Sequence, residues 1–116
     1  MDNKLFGDKG EKFAQNLLIK NGYKILATKF RTKLGEIDIV AKEKDTLVFV
    51  EVKTRTSQKF GKPQEAVNVR KLHTIKNAGE LFIRSHPGLA KKFRIDVVAI
   101  EVNYGIVTSA KIIQAV

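Results

Sequence analysis

The sequence has no cysteine and no tryptophan, two histidines, two prolines and one methionine. Without cysteine there is no disulfide, thiolate nucleophile, iron–sulfur cluster or cysteine-ligated zinc. His73 and His86 stand apart and are too few for a histidine-rich centre, so any catalytic metal must be held by oxygen. No apolar run approaches the roughly 20 residues needed to cross a bilayer. Met1-Asp2-Asn3-Lys4 leads into charge and not into the apolar stretch of a signal peptide, so the expectation is a cytoplasmic protein with no membrane contact. Repeats at solenoid or propeller periods and low-complexity tracts are missing too.

What remains is a chain of 116 residues, 43% hydrophobic, which is room for one domain spanning 1–116. Its charge is lopsided: 22 Lys and Arg against 12 Asp and Glu give a net +10, the profile of a protein that meets polyanions. Residues 1–52 carry ten basic and eight acidic side chains, residues 53–94 carry eleven and two, and residues 95–116 carry one and two. The excess therefore sits in the middle third.

From Asp8 to Asn21, Phe13, Ala14, Leu17 and Leu18 form one helical stripe, closed by Asn21-Gly22. Tyr23 to Phe30 suits a short strand, followed by a basic loop with Lys29, Arg31 and Lys33. After Gly35 the period becomes two, with Ile37, Ile39 and Ala41 on one face and Glu36, Asp38 and Val40 on the other. Lys42 to Thr46 is a hairpin turn. Leu47 to Thr54 is the strongest strand, with Val48, Val50 and Val52 facing one way and Leu47, Phe49, Glu51 and Lys53 the other. Arg55 to Lys62 has loop composition, and Pro63 suits the first turn of a long helix from about Gln64 to Arg84, with Ala66, Val67, Leu72, Ile75, Ala78, Leu81 and Phe82 at three- and four-residue spacings as its apolar stripe. Phe93 to Val102 is a further strand, Asn103-Tyr104-Gly105 a tight turn, and the remainder an edge strand or hairpin. The order α-β-β-β-α-β-β predicts an α/β protein with a mixed central sheet flanked by helices.

Three charged side chains stand where a sheet would otherwise be apolar: Asp38, Glu51 and Lys53. The 13-residue interval between the two acids lets hairpin-paired strands set their carboxylates side by side, and Glu51 and Lys53 share a face. Close carboxylates repel unless a cation lies between them, and oxygen-only ligation favours Mg²⁺ or Mn²⁺. Such an ion would polarise a phosphoryl group and acidify a water, with the lysine positioning that water or stabilising the growing negative charge. The competing explanation is a Glu51–Lys53 ion pair on a solvated face with Asp38 as one more exposed charge, although the strand is too apolar to be solvated.

The segments Gly35-Glu36-Ile37-Asp38, Leu47 to Arg55, Phe60-Gly61, Glu65-Ala66-Val67, Gly10-Glu11, Asn21-Gly22-Tyr23 and Arg94 to Val98 resemble the YraN-like uncharacterised bacterial protein family across nearly the whole chain. That family is similar in turn to the PD-(D/E)xK nuclease superfamily, with its restriction-endonuclease-like fold, and in pattern to archaeal Holliday-junction resolvases. The resemblance implies that Asp38, Glu51 and Lys53 match the Asp…Glu-x-Lys signature, with Ile37 where many members have proline. It also implies that Glu11 completes the metal site. On its own position Glu11 is equally a partner of the helix dipole. Gln64 or Glu65 would act as a helix cap or reach the site, His73 belongs at the surface, Tyr23 and Tyr104 are packing residues, and Asp96 pairs with a cation.

Basic residues crowd the chain just after Glu51: Arg55, Lys59 and Lys62 in the expected loop, and Arg70, Lys71 and Lys76 on the helix. They would hold a phosphate backbone across the acids with little dependence on sequence. No helix-turn-helix, zinc finger or aromatic sheet motif is present to read bases, which favours recognition of shape. The expected function is a divalent-metal-dependent endonuclease cutting structured DNA such as a branch, flap or junction, with RNA left open as substrate. The alternative is a nucleic-acid-binding accessory protein with the same fold and no cutting activity. A homodimer follows by analogy with the resolvases.

Overall fold

In a computed structural model of the protein the described residues are 3–56 and 68–114, with side chains described from residue 7. Helix α1 spans Asn3–Lys20, and strands β1 (Lys24–Thr32), β2 (Gly35–Glu43) and β3 (Thr46–Arg55) follow as an antiparallel meander. Helix α2 (Val69–Ser85) carries the chain across to β4 (Lys92–Asn103), which lies parallel to β3, and β5 (Ile106–Gln114) closes the sheet antiparallel to β4. The spatial order is β1-β2-β3-β4-β5. A parallel neighbour requires a long crossover, and α2 supplies it. The expected α-β-β-β-α-β-β order and mixed sheet hold.

Each helix buries one face against one side of the sheet. Ala14 and Leu18 of α1 pack with Ile39, Ala41, Val48, Val50, Val98 and Ile100, while Ile75, Ala78 and Phe82 of α2 pack with Val40, Leu47, Phe49 and Ile95 on the other side. Leu47 to Val50 are all buried, as a central strand covered on both faces requires. Helix α1 ends where Asn21-Gly22 suggested, with the Tyr23 amide donating back to the Leu18 carbonyl at 3.0 Å.

Several boundaries and contacts differ from expectation. Helix α1 starts at Asn3 and not near Asp8, and Phe13 lies at its exposed edge. Lys29 and Arg31 belong to β1 and not to a loop, because pairing with β2 continues to Thr32. Arg55 ends β3. The second helix begins at Val69 and not at Gln64: Asn68 has extended backbone and its side chain accepts the Lys71 amide, which fixes the first turn there. Lys59, Lys62, Pro63, Gln64 and Glu65 lie outside the described residues.

The face assigned to Ile37 is also corrected. It packs with Val40 on the α2 side, whereas Ile39 and Ala41 pack on the α1 side. Between the pairs Thr28↔Ile39 and Phe30↔Ile37 lie Lys29 and Asp38, and Lys29 has a φ of 50° that is foreign to a strand. That rotation turns the strand ends over, so Phe30 and its partner Ile37 both pack on the α2 side and Phe30 meets the Phe82 ring edge-on at 5.2 Å. Asp38 sits at the point of reversal.

Candidate active site

The β2–β3 ladder runs from Glu43↔Thr46 to Ile39↔Val50 and stops there. One further step would set Asp38 opposite Glu51. At that step β2 parts from β3, and the Val52 amide, left without a ladder partner, donates to Asp38 Oδ2 at 2.7 Å. A carboxylate thereby replaces a backbone carbonyl, and the bond fixes where Asp38 points.

Glu51 is only 5% exposed, at the far end of a strand that is buried before it. Its carboxyl group lies within hydrogen-bonding reach of Asp38, and burial together with that bond and the charge of Asp38 pushes its pKa up to about 8, opposed by Lys71. Lys71 Nζ from the first turn of α2 stands 3.2 Å from Glu51 Oε2. Oε2 is buried, and Lys71 is the cation it faces. Two carboxyl groups this close, one of them buried, make a site that favours a cation between them, a demand that Lys71 meets in part.

Glu11 approaches this pair from α1. Its side chain is largely buried beside Lys29 Nζ at 3.8 Å, and its pKa is raised by burial first and by the Asp38 charge second, with Lys29 opposing. The approach depends on Gly10. A methyl group there would collide with Thr54 Oγ1 of β3, so only glycine lets α1 lie this close to the strand that carries Glu51 and Lys53. Among the described residues, however, no three acidic or histidine side chains gather tightly enough to enclose a metal ion. The donor set fits a hard cation held by the Asp38–Glu51 pair and completed by water, the manner in which Mg²⁺ is usually bound, with Glu11 at electrostatic range and not in a closed cage.

Lys53, half-buried two residues beyond Glu51, shares that residue's side of β3. Of the expected backbone-holding cations, Arg70 and Lys76 are exposed on α2, Arg55 is half-buried at the end of β3, and Lys71 is committed to Glu51. Two residues that bear on the site lacked any local signal. The contact of Lys71 with Glu51 spans the crossover, and Lys29, which neutralises Asp8 at 3.0 Å as well as Glu11, read as loop.

The remaining acidic cluster is structural. Asp96, fully buried, accepts from Tyr23 Oη at 2.7 Å and from Arg94 Nε at 2.7 Å, and Arg94 Nη2 donates to Glu43 at 2.9 Å. Burial and the Asp96 bond push the Tyr23 hydroxyl up to about 12. Asp96 thus pairs with a cation and Tyr23 packs, as expected, and His73 is at the surface. Tyr104 does not pack: it is fully exposed at the tip of the β4–β5 turn. Among the described residues no helix is long and apolar enough to cross a membrane.

The fold is a mixed five-stranded sheet between two helices, with Asp38 and Glu51-x-Lys53 where the β2–β3 ladder ends. The chain belongs to the Uncharacterised protein family UPF0102, whose model matches residues 10–100. It is 53% identical over 104 residues to a UPF0102 protein of Caldicellulosiruptor bescii, covering 89% of this chain and 87% of that one. It is 46% identical over 103 residues to a UPF0102 protein of Syntrophomonas wolfei, covering 89% and 90%. A solved structure described as an EndoMS–dsDNA2 complex superposes with a TM-score of 0.48 at 17% identity, over 84% of this chain and 38% of that one.

Proposed function

We propose that the protein is a divalent-metal-dependent endonuclease that hydrolyses phosphodiester bonds in structured DNA. The observation that carries this reading is the buried Glu51 carboxyl group within hydrogen-bonding reach of Asp38, two like-charged groups held together in a place shielded from water. The Asp38–Glu51 pair would hold Mg²⁺ or Mn²⁺, which supplies Lewis-acid stabilisation of the phosphorane-like charge when bound. Asp38, anchored on the Val52 amide, keeps the pair aligned. Lys53 holds a proton near the attacked phosphate and offsets the growing charge there, and Glu11 adds negative potential that strengthens cation binding. The net +10 charge and the exposed Arg70 and Lys76 support retention of a phosphate backbone. For junctions, which need two cuts, a homodimer would present two such sites.

The rival reading, a binding protein that does not cut, is favoured by one observation: Lys29 and Lys71 already lie against Glu11 and Glu51, so internal cations meet part of the demand for positive charge. A cleavage screen over branched, flapped, single-stranded and duplex DNA and RNA with Mn²⁺ or Mg²⁺ separates the two. Lys53→Ala is expected to abolish cutting while leaving gel-shift affinity within about twofold, since one phosphate contact contributes modestly to binding. Cutting unchanged by Lys53→Ala refutes the nuclease assignment, and tight, salt-dependent binding with no cutting of any substrate supports the rival.

A further inference from the structure

The first turn of α2 carries Arg70 and Lys71 and no acidic residue. Cations there oppose the positive end of the helix dipole, which ordinarily draws a carboxylate. Glu51 supplies that carboxylate from across the crossover, with Lys71 Nζ 3.2 Å from its Oε2. Among the described residues Glu51 is the one acid that Lys71 pairs with, whereas Lys29, the other cation beside the site, has Asp8 at 3.0 Å as well as Glu11.

The two ends of this ion pair are unequally held. The Glu51 side chain is 6% exposed and fixed beside Asp38, while that of Lys71 is 40% exposed. The Lys71 backbone is anchored, because its amide donates to the Asn68 side chain at 2.9 Å, but the flexible four-carbon stem lets the ammonium swing without any movement of α2. A divalent cation drawn to Asp38 and Glu51 carries twice the charge of the ammonium and competes with it for the same carboxylate. Lys71, once displaced, leaves the first turn with two cations and the positive end of the dipole and no carboxylate to face them. That combination favours a phosphate.

We propose that Lys71 is an exchangeable counterion, which occupies the acid pair until a divalent cation displaces it and then holds a substrate phosphate at the start of α2. The inference rests on the nuclease reading above and adds a coupling to it: through Lys71, metal and nucleic acid each tighten the binding of the other, by the same factor. It also gives one side chain two successive partners. The sequence places Lys71 among the cations that hold a backbone, the structure finds it on Glu51, and exchange makes both positions part of one cycle. Lys29 takes no part in this exchange, because Asp8 retains it whatever happens at Glu11.

The test is fluorescence anisotropy of a labelled forked duplex at low salt, in chelator and in Ca²⁺, on the full chain and on Lys71→Met and Lys71→Arg. Ca²⁺ is the probe because it takes oxygen ligands, as Mg²⁺ does. The parent should bind more tightly on adding Ca²⁺, and Lys71→Met should lose on the order of fivefold of that gain, since a phosphate contact contributes most at low salt. Lys71→Arg keeps the charge and should keep the gain. Lys71→Met weakened equally in both buffers overturns the proposal, because Lys71 would then be a phosphate contact independent of the metal. Lys71→Met with the parent's full gain overturns it too, because the pair with Glu51 would then be structural only. If Lys71→Met does not fold, NMR of the lysine ammonium groups decides on the parent: the Lys71 signal, identified by its absence from Lys71→Arg, must move on adding Ca²⁺ alone, and a signal that stays overturns the exchange. Those three failures leave the nuclease reading standing. A parent whose affinity does not respond to Ca²⁺ overturns both, whereas a Lys71-dependent gain without cutting in Mg²⁺ or Mn²⁺ overturns only the assignment as an enzyme.

Discussion

Replacing Glu51 by glutamine should stabilise the protein, and by an amount that grows with pH. Burial and Asp38 hold the Glu51 pKa at about 8 in the fold against 4.5 for a free glutamate. The folded value is the higher one, so the stability carried by the protonated form is complete below about pH 4.5 and is lost as pH rises through 8. Between those limits the fold loses roughly 1.4 kcal/mol per pH unit, which is about 3 kcal/mol by pH 7 and about 1 by pH 5. Glutamine has the same shape, can donate to Asp38, and carries no charge to desolvate. For a domain of this size each kcal/mol shifts the melting temperature by about 4 °C, so Glu51→Gln should melt on the order of 10 °C above the parent at pH 7 and only a few degrees above it at pH 5. Scanning calorimetry or a dye melt from pH 5 to 9 in chelator reads this directly. Adding Mn²⁺ at pH 8 should raise the parent toward the variant and leave the variant unmoved, because the ion takes the place of the proton on the acid pair. A variant less stable than the parent at every pH, or a gap that does not change from pH 5 to 8, would refute the assignment of Glu51 as a frustrated buried acid.

Two further substitutions probe how the site is framed. Gly10→Ala drives a methyl group into Thr54 Oγ1 and should cost about 1–3 kcal/mol in urea unfolding, with most of the loss recovered by adding Thr54→Gly; an additive double variant would show that α1 does not rest on β3 at this point. Asp96→Asn leaves the Arg94 guanidinium facing a neutral partner beneath Tyr23 and should cost about 3–5 kcal/mol with no change in nucleic-acid affinity, measured by urea unfolding and gel shift; unaltered stability would show the network to be solvated.

The strands and the acid pair were legible because their signals are local. Alternation fixed the two faces of β3, and the 13-residue interval from Asp38 to Glu51 carried the hairpin that brings them together. Asp96 with Arg94 was likewise readable as two positions on one strand face. The failures share a different cause. Ile37 changed sides because of the left-handed Lys29 on a neighbouring strand, and no alternation within β2 records it. Lys71 reaches Glu51 from across the parallel crossover, a contact set by packing and not by spacing. An aromatic residue usually packs, whereas the turn geometry at Tyr104 projects it into water.

The parallel pairing of β3 with β4 also has a cost during synthesis. Glu11, Asp38, Glu51 and Lys53 all emerge with α1 and the meander, but β3 ends at Arg55 and its neighbour does not begin until Lys92. At about 5–20 residues per second the ribosome leaves that apolar strand with one open flank for seconds. The basic excess of residues 53–94 is being made during the same interval, and like-charge repulsion between nascent chains would keep the waiting edge from finding the wrong strand.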